Sequence, residues 1–584
     1  MKFKQKWDLD TIYEGGSHSE ELSKSFESVS LKMKELGQAT KKRSDLKSAL
    51  KISQEISFHL REMSPYITCL NAQNVTDSKA HLLQDQITAL QAEFSNLSVC
   101  LGEWLASLDE TTFHTLLAAP DIEPIAFAVE EKRRRAKDLL SSDDESFIND
   151  LGVNGYHGWT QMWEALLGNI TFPFEGKELS FGQIENQMAD PSREIRQLAF
   201  QSIDTTLRKN ELLFAQILNH LGGFRLATYK KRRWTSILKE PLDHNRMEEE
   251  TLQAMWSSIQ KHHNKLKAYL KCKADLLKIP EVNWYDLEAP LGEVAKKVPF
   301  DEAGDFIIRH FSKFSPKMGA FAKKVLEDSW IDAENRAKKG PGGFCVGMPL
   351  TKESRIFMTY ADTMTNVFTL AHELGHAFHN LVTFPLPEMS QHICMNVAET
   401  ASTMAEAIVT RAAIEEASSE TEKLFLLDDH LSRSVAYLMN IYARFLFETR
   451  FYAKRKQGFV SSESLNNLMK EAQKEAYGDS LGCYHPLFWA AKMHFYFADA
   501  PFYNFPYTFG YLFSMGIHEL GQKKDNFEDA YIALLQDTGQ MNVEDLAQKH
   551  LSIDLRKEEF WEIGLKTVGR DIDEFIALAE KVSQ

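Results

Sequence analysis

Apolar residues recur every three or four positions along most of this chain, the spacing that places them on one face of an α-helix. No internal repeat or low-complexity segment interrupts this pattern. The pattern therefore predicts a mainly α fold. The predicted helical stretches are residues 19–58, 77–117, 122–151, 192–228 and 248–277, followed by most of the C-terminal half.

The first interruption of the helical pattern lies near residue 175. Segments 170–174 and 178–181 are rich in strand-forming residues and flank Glu-Gly-Lys, an arrangement typical of a small β-hairpin. Asp190-Pro191 then favours a helix start, with Asp190 as N-cap and the proline at the first helical position. We place a boundary there. The predicted parts are an N-terminal helical domain over residues 1–118, a helix-and-hairpin segment over 119–190 that completes the N-terminal lobe, and a catalytic domain over 191–584.

The second interruption is a glycine-rich stretch, residues 339–347, which precedes a predicted strand from Arg355 to Tyr360. A phosphate-binding loop would end in Gly-Lys followed by Ser or Thr, and this stretch does not. Nucleotide binding is therefore excluded. The stretch is either a plain turn or a flexible rim beside an active-site cleft, since loops beside a site often carry function.

Length and composition narrow the class of protein. A chain of 584 residues exceeds one small core, so two or more lobes are expected. The net charge of −16 argues against nucleic acid and anionic membranes as partners. Six cysteines occur without a C-x-x-C pair, which favours a reducing compartment. With no secretory signal and no apolar run long enough to cross a bilayer, we predict a cytoplasmic protein.

The residues His372-Glu373-Leu374-Gly375-His376 form an H-E-x-x-H motif within an apolar, helix-periodic segment. Two histidines four residues apart lie on one face of a helix, about one turn from each other. Both imidazoles could therefore bind one zinc ion, and Glu373 could act as general base on a zinc-bound water. Burying three such polar groups without a partner would cost free energy, which favours a metal site over three unrelated core residues.

A catalytic zinc keeps three protein ligands and one position open for water. The pattern H-E-x-x-H-x-x-G-x-x-H is excluded as a source of the third ligand, since His379 stands at its glycine position and Val382 at its last histidine position. A glutamate on the following, antiparallel helix fits instead. Segment 396–406 places Glu399 among small residues that allow close helix packing. Glu399 is therefore the predicted third ligand of a single zinc ion.

Two other polar residues near the motif could support the site. Glu406 follows Glu399 by two turns on the same helix face, and it could orient a ligand histidine or be a surface carboxylate. His379 lies two turns after His372 and could support a ligand or be a structural histidine. His379 is not a predicted ligand, because a fourth protein ligand would close the open position.

An aromatic segment, residues 493–511, lies far downstream of the motif and contains His494 and four tyrosines beside prolines and glycine. Peptide hydrolysis needs donors for the oxyanion of its tetrahedral intermediate. Buried tyrosine hydroxyls need hydrogen-bond partners. The composition of this segment therefore favours the lining of a cleft over a plain aromatic core.

With these motifs the chain resembles the oligoendopeptidase F family, relatives of thimet oligopeptidase and neurolysin. The resemblance covers essentially the whole chain. It implies a zincin-type, almost all-helical fold with two lobes around a deep central channel, a small β element at the active-site cleft, and short peptides as substrates. The matching blocks are W-D-L-D-T-I-Y at 7–13, N-V-F-T-L-A-H-E-L-G-H at 366–376, V-A-E-T-A-S-T at 397–403 and P-F-Y-N-F-P-Y-T-F-G-Y at 501–511.

By position, the resemblance implies zinc binding by the two motif histidines and Glu399, with the motif glutamate as general base. It implies a substrate-binding, oxyanion-stabilising role for His494. It further implies that the strand before the motif helix, Arg355 to Tyr360, pairs with the substrate backbone. The role of the family's catalytic tyrosines falls to one or more of Tyr503, Tyr507 and Tyr511.

We therefore predict a zinc-dependent oligoendopeptidase that hydrolyses internal bonds of short peptides, with Glu373 assisting the attack of a zinc-bound water. One alternative is a carboxypeptidase or dipeptidyl carboxypeptidase on the same scaffold, which would need a cation near the zinc to hold the substrate's terminal carboxylate. Another is a non-catalytic peptide-binding protein with structural zinc. The intact Glu373 and the open ligand position argue against the latter. The sequence does not predict the oligomeric state.

Overall fold

A computed structural model of the protein describes residues 2–292, 297–521 and 527–582. The described residues are mainly helical, which confirms the fold class predicted from the apolar spacing. Among them, no helix has the length and apolar character needed to cross a membrane.

The N-terminal helices enclose a hydrophobic core of their own, to which Val29, Ile56 and Ile87 contribute fully buried side chains. The predicted stretch 19–58 is split between two of these helices, because Arg43 adopts a left-handed conformation (φ 48°) and Asp45 caps the next helix. The helices of this bundle are α1 (Glu20–Lys42), α2 (Leu46–Gln73), α3 (Ser78–Ala106), α4 (Glu110–Leu117) and α5 (Ala126–Lys137).

The predicted hairpin is present, with β1 (Phe172–Phe174) antiparallel to β2 (Lys177–Leu179). The predicted helix start at Asp190-Pro191 is two residues too early. The Asp190 carboxylate accepts a hydrogen bond from the Ser192 amide at 2.7 Å, which keeps the proline outside a helix that begins at Arg193. The helices around this hairpin are α6 (Ser142–Gly152), α7 (Gly158–Asn169), α8 (Phe181–Asn186) and α9 (Arg193–Lys231).

The remaining helices build the larger core together with α7 and α9. They are α10 (Lys239–His244), α11 (Glu249–Lys261), α12 (His263–Leu276), α13 (Phe300–Phe314), α14 (Pro316–Glu327), α15 (Met364–Thr383), α16 (Met395–Glu415), α17 (Glu420–Val435), α18 (Ile441–Arg455), α19 (Ser462–Tyr477), α20 (Phe488–Ala491), α21 (Phe505–Gly521), α22 (Phe527–Asp537), α23 (Val543–Leu551) and α24 (Glu558–Val582).

A three-stranded sheet lies between the two cores. Its strands are β3 (Ile331–Asp332), β4 (Phe344–Met348) and β5 (Glu353–Phe357), in the order β3-β5-β4. Successive side chains of a strand point to opposite faces. Accordingly Ile356 packs into the larger core and Phe357 into the N-terminal core. The sheet therefore joins the two halves of the protein directly before the motif helix α15.

The expectation that Arg355 to Tyr360 pairs with a substrate backbone is wrong for this sheet. On one side β5 pairs with β4, and on the other its amides and those after it donate to the carbonyls of residues 330, 332 and 333 at 2.9–3.0 Å. Within the described residues β5 is the central strand and β4 is one of the two edge strands. The second half of the glycine-rich stretch therefore forms a strand and not only a loop.

Arg355 instead anchors the N-terminal block. Its buried guanidinium donates to the Asp8 carbonyl at 2.8 and 3.1 Å and to the Thr11 hydroxyl at 2.6 Å. Such charge-assisted hydrogen bonds are stronger than neutral ones. The block W-D-L-D-T-I-Y therefore holds the strand that leads into the motif helix.

Candidate active site

The motif helix α15 packs closely against α16, which carries Glu399. A Cβ atom at Gly375 would lie 2.5 Å from the Ala401 carbonyl oxygen and 2.6 Å from the Ser402 Cα. Contacts this short are not tolerated, so only glycine allows the two helix backbones to approach so closely. The small residues after Glu399 provide the other half of this contact, as their sequence indicated.

This close packing brings three metal-competent groups together. The Nε2 atoms of His372 and His376 lie 3.3 and 3.6 Å from Oε2 of Glu399. Tetrahedral zinc with bonds of about 2 Å spaces its ligand atoms about 3.3 Å apart, so these residues fit three of its corners. No other histidine, cysteine, aspartate or glutamate of the described ranges belongs to this cluster. A zinc ion held by these three residues would keep a fourth position for water or substrate.

Glu406 orients one of these histidines. Its Oε2 lies 3.1 Å from Nδ1 of His372, and its Oε1 lies 3.0 Å from Nε of Arg433. The alternative that Glu406 is a surface carboxylate is wrong. A carboxylate that accepts from Nδ1–H leaves Nε2 unprotonated and directed at a metal. Arg433 lies on α17 and had no local sequence signal, because only the tertiary fold brings it to Glu406.

We expect Glu406→Gln to weaken zinc binding by about 10- to 100-fold, the usual effect of removing a group that orients a ligand histidine. The glutamine side chain has one carbonyl oxygen and one NH₂ group in place of the two carboxylate oxygens. It can therefore accept a hydrogen bond from His372 or from Arg433, but not from both. Competition with a fluorescent zinc chelator would measure the change, and Glu415→Gln, at an exposed position of the same helix, is the matched control. Equal zinc affinity in the two variants would contradict the orienting role.

Glu373, between the two histidines, is buried. Burial raises the pKa of its carboxyl to about 7, an effect partly offset by His372 and reinforced by the negative charge of Glu399. A carboxylate with a raised pKa accepts a proton more readily than one in water. Burial also raises the pKa of the Cys345 thiol, and the charge of Glu373 raises it further, so the edge strand β4 lies beside this glutamate.

His494, Tyr503 and Tyr507 form one aromatic cluster. The ring centre of His494 lies 5.6 Å from that of Tyr503 and 6.0 Å from that of Tyr507, and the two tyrosines are 5.7 Å apart. Burial lowers the pKa of His494 to about 3, so its imidazole is neutral at physiological pH. Its Nδ1 atom is buried and has no hydrogen-bond partner within the described ranges.

Helix α21, which carries Tyr507, connects this cluster to the candidate metal ligands. A Cβ atom at Gly510 would lie 3.0 Å from the Cβ of Glu399, so α21 packs directly on α16 at the predicted third ligand. Tyr507 stands one turn earlier on α21. Burial raises its pKa most, Tyr503 raises it further, and the charge of Glu399 adds to the shift. The aromatic cluster and the three candidate ligands therefore belong to one site.

Tyr511 is placed apart from this cluster. Its hydroxyl lies 2.7 Å from the Ser434 hydroxyl, and its ring stacks on Tyr437 with the centres 4.7 Å apart. The structure thus brings His494, Tyr503 and Tyr507 together, whereas Tyr511 packs against α17. Tyr437 was not predicted from the sequence. Burial raises its pKa, and the charges of Glu406 and Glu399 raise it further, so Tyr437 lies close to the candidate metal ligands.

A buried carboxylate holds the turn before α21. Glu448 accepts hydrogen bonds from the Phe502 amide at 3.0 Å and from the Asn504 side-chain amide at 2.8 Å. Phe502 adopts a left-handed backbone conformation (φ 55°), which is costly for a bulky residue and needs such support. The turn sets the position of Tyr503, the next residue.

His379 has a structural role. Its Nε2 atom lies 2.9 Å from the Thr538 hydroxyl and 3.2 Å from the Leu535 carbonyl oxygen, in contact with α22 and the turn after it. Burial lowers the pKa of this imidazole to about 4. His379 is therefore a neutral, hydrogen-bonded core residue. Of the two roles considered from the sequence, this is the structural one.

Comparison with known proteins gives two family matches that together span most of the chain. The model described as "Peptidase family M3" matches residues 186–566, and the model described as "Oligopeptidase F" matches residues 104–172. Oligopeptidase PepF of Bacillus subtilis (strain 168) is 25% identical, over 100% of this chain and 88% of its own length.

Solved structures show that the fold is shared. A crystal structure from Chlamydophila abortus superposes with a TM-score of 0.84 at 21% identity, covering 98% of this chain and 98% of that one. The crystal structure of oligoendopeptidase-F from Enterococcus faecium superposes with a TM-score of 0.70 at 18% identity, covering 96% and 98%.

Proposed function

Because the chain belongs to peptidase family M3, we propose that it is a zinc-dependent oligoendopeptidase that hydrolyses internal bonds of short peptides. The observation that carries this proposal is the convergence of His372, His376 and Glu399 beside the buried Glu373. The names of the relatives, oligopeptidase and oligoendopeptidase, support short peptides as the substrate class. A cytoplasmic location stays a prediction, which the six unpaired cysteines fit.

The two histidines and Glu399 would hold the zinc ion, with His372 oriented by Glu406. When bound there, zinc would polarise the scissile carbonyl and lower the pKa of a water molecule to near neutrality. Glu373 takes the proton of the attacking water and returns it to the nitrogen of the leaving amine.

The remaining groups position the peptide and stabilise charge. The edge of β4 that does not pair with β5 offers backbone amides and carbonyls to an extended peptide beside Glu373. His494, Tyr503 and Tyr507 are the candidate donors to the oxyanion, which preorganised hydrogen bonds stabilise more than they stabilise the ground state. Tyr511 stays a weaker candidate for this role, since its hydroxyl already contacts Ser434.

The test is cleavage of a peptide of about ten residues that is acetylated at its N-terminus and amidated at its C-terminus, with the products identified by mass spectrometry. We expect internal cleavage, its loss after dialysis against a chelator, and its return with one equivalent of zinc per chain. Terminal trimming of unblocked peptides alone would instead indicate the exopeptidase alternative. Stoichiometric zinc without any cleavage would indicate a binding protein.

A further inference from the structure

Two cations beside the aromatic cluster have no carboxylate partner. Within the described residues, neither Arg444 nor Lys492 has a carboxylate oxygen within 4.0 Å. Nε of Arg444 donates to Oδ1 of Asn440 at 2.8 Å. The Arg444 guanidinium and the Lys492 ammonium lie 5.3 and 5.7 Å from the centre of the same ring, that of Phe488. An aromatic ring stabilises a cation only in part.

Two fully buried cations of the same fold do have a carboxylate partner. Lys273 lies 3.1 Å from a carboxylate oxygen of Asp428, and Arg196 lies 2.9 Å from one of Asp286. Removing a cation even partly from water without such a partner costs free energy. Burial accordingly lowers the pKa of Arg444 to about 10 and also lowers that of Lys492.

The nearest acidic groups do not neutralise these cations. The carboxylates of Glu185 and Glu288 act on both of them through space, but both glutamates are exposed and form no ion pair with either cation. Two like charges close to each other also repel, and each lowers the preference of the other for the charged form. A ligand that brings a negative charge would relieve both costs.

The cations belong to the active-site cleft. Lys492 stands two residues before His494, and both cations lower the pKa of the His494 imidazole after the larger effect of burial. The charge of Glu399 raises the pKa of Tyr507 and that of Arg444 lowers it, so both groups lie close to this tyrosine. Arg444 and Lys492 are surrounded by protein yet partly accessible to solvent, as expected of side chains that line a cleft.

We propose that Arg444 and Lys492 form a carboxylate-binding subsite that holds a negatively charged group of the peptide, either its C-terminal carboxylate or an acidic side chain. The inference rests on the proposed peptidase function. A guanidinium binds a carboxylate with two parallel hydrogen bonds, and the ammonium adds a point charge. The subsite makes the enzyme selective for substrates that place such a group beside the aromatic cluster.

Four N-acetylated peptides of one sequence test the proposal. They combine a free or amidated C-terminus with Asp or Asn at one internal position. We expect the wild type to prefer one carboxylate form by about tenfold or more in kcat/KM, mainly through KM, since a hydrogen bond to a charged group contributes more to binding than one between neutral groups. Loss on amidation identifies the terminal carboxylate, and loss with Asn identifies an acidic side chain.

Variants assign the preference to the two cations. Arg444→Gln and Lys492→Gln should each lose the preference, so that each variant cleaves the charged and uncharged peptides with nearly equal kcat/KM. Arg444→Lys should keep part of it. Lys454→Gln, at an exposed position of α18, should keep all of it. Equal cleavage of the four peptides by the wild type, or an unchanged preference in both glutamine variants, would overturn the proposal.

Calorimetric titration of the same peptides into Glu373→Gln protein measures binding without turnover. A binding preference for a carboxylate form that disappears in the double variants, Glu373→Gln with Arg444→Gln or Lys492→Gln, supports the subsite even if no peptide is cut, in which case only the proposed activity fails. Equal binding of all four peptides contradicts the subsite, whether or not the wild type is a peptidase.

Discussion

Glu373→Gln should lower kcat by about 10²- to 10⁴-fold, the range by which a positioned general base contributes, while the zinc content stays at one per chain. Glutamine has the size and shape of glutamate but cannot take a proton at neutral pH. The three candidate ligands are untouched by the change. Single-turnover cleavage of a short peptide and zinc analysis of the same sample would measure both quantities.

The controls separate loss of the base from loss of the fold. Ionised Glu373 is costly to bury, so the glutamine variant should unfold at no lower a temperature than the wild type. Glu415→Gln, exposed on α16, should keep full activity. Wild-type kcat in Glu373→Gln would disprove the proposed mechanism, and loss of zinc together with activity would leave the base unassigned and point to a ligand role for Glu373.

The central residues of the candidate site could be predicted, because the sequence immediately around each of them indicates its role. Histidines four residues apart share a helix face whatever surrounds them, and His372 and His376 do lie together in the structure. Glu399 could be predicted because small residues on the next helix indicated close packing, and Gly375 supplies the matching gap on the motif helix. Periodicity and spacing were sufficient for these residues.

The groups around the core could not be predicted, because distant segments supply them. Arg433 reaches Glu406 from α17, and the cations Arg444 and Lys492 come from two further segments. No spacing rule relates such positions. The same limit explains the error about the substrate strand, since the strand order β3-β5-β4 depends on chain reversals and not on the composition of β5.

Helix boundaries show a third limit. Apolar periodicity continued without a gap through residues 43–45, yet α1 ends there because one residue turns left-handed and an aspartate caps the next helix. Caps are worth only about 1 kcal/mol each, which is small beside the burial of a helix face. They decide where a helix ends without changing the period from which the helix was predicted.

The second large effect is expected for Glu399→Ala, which should remove the metal. Two of three ligands would remain, and the loss of zinc affinity should exceed the roughly 100-fold upper range found when only an orienting residue is changed. The surroundings of the Glu399 carboxylate favour its charged form, which is the form that binds a metal. Burial opposes its ionisation, but His372, His376 and the Ser402 hydroxyl outweigh burial and lower the pKa of Glu399 to about 2.

Alanine suits the position structurally, since α16 packs on α15 and α21 through small residues and the Cβ of residue 399 is retained beside Gly510. The variant should therefore fold, contain substoichiometric zinc after dialysis against a weak chelator, and cleave peptides only when excess zinc is supplied. Glu415→Ala on the same helix should keep its zinc. One zinc per chain in dialysed Glu399→Ala would remove Glu399 from the ligand set, and the metal would then have to be held by the two histidines and a residue outside this cluster.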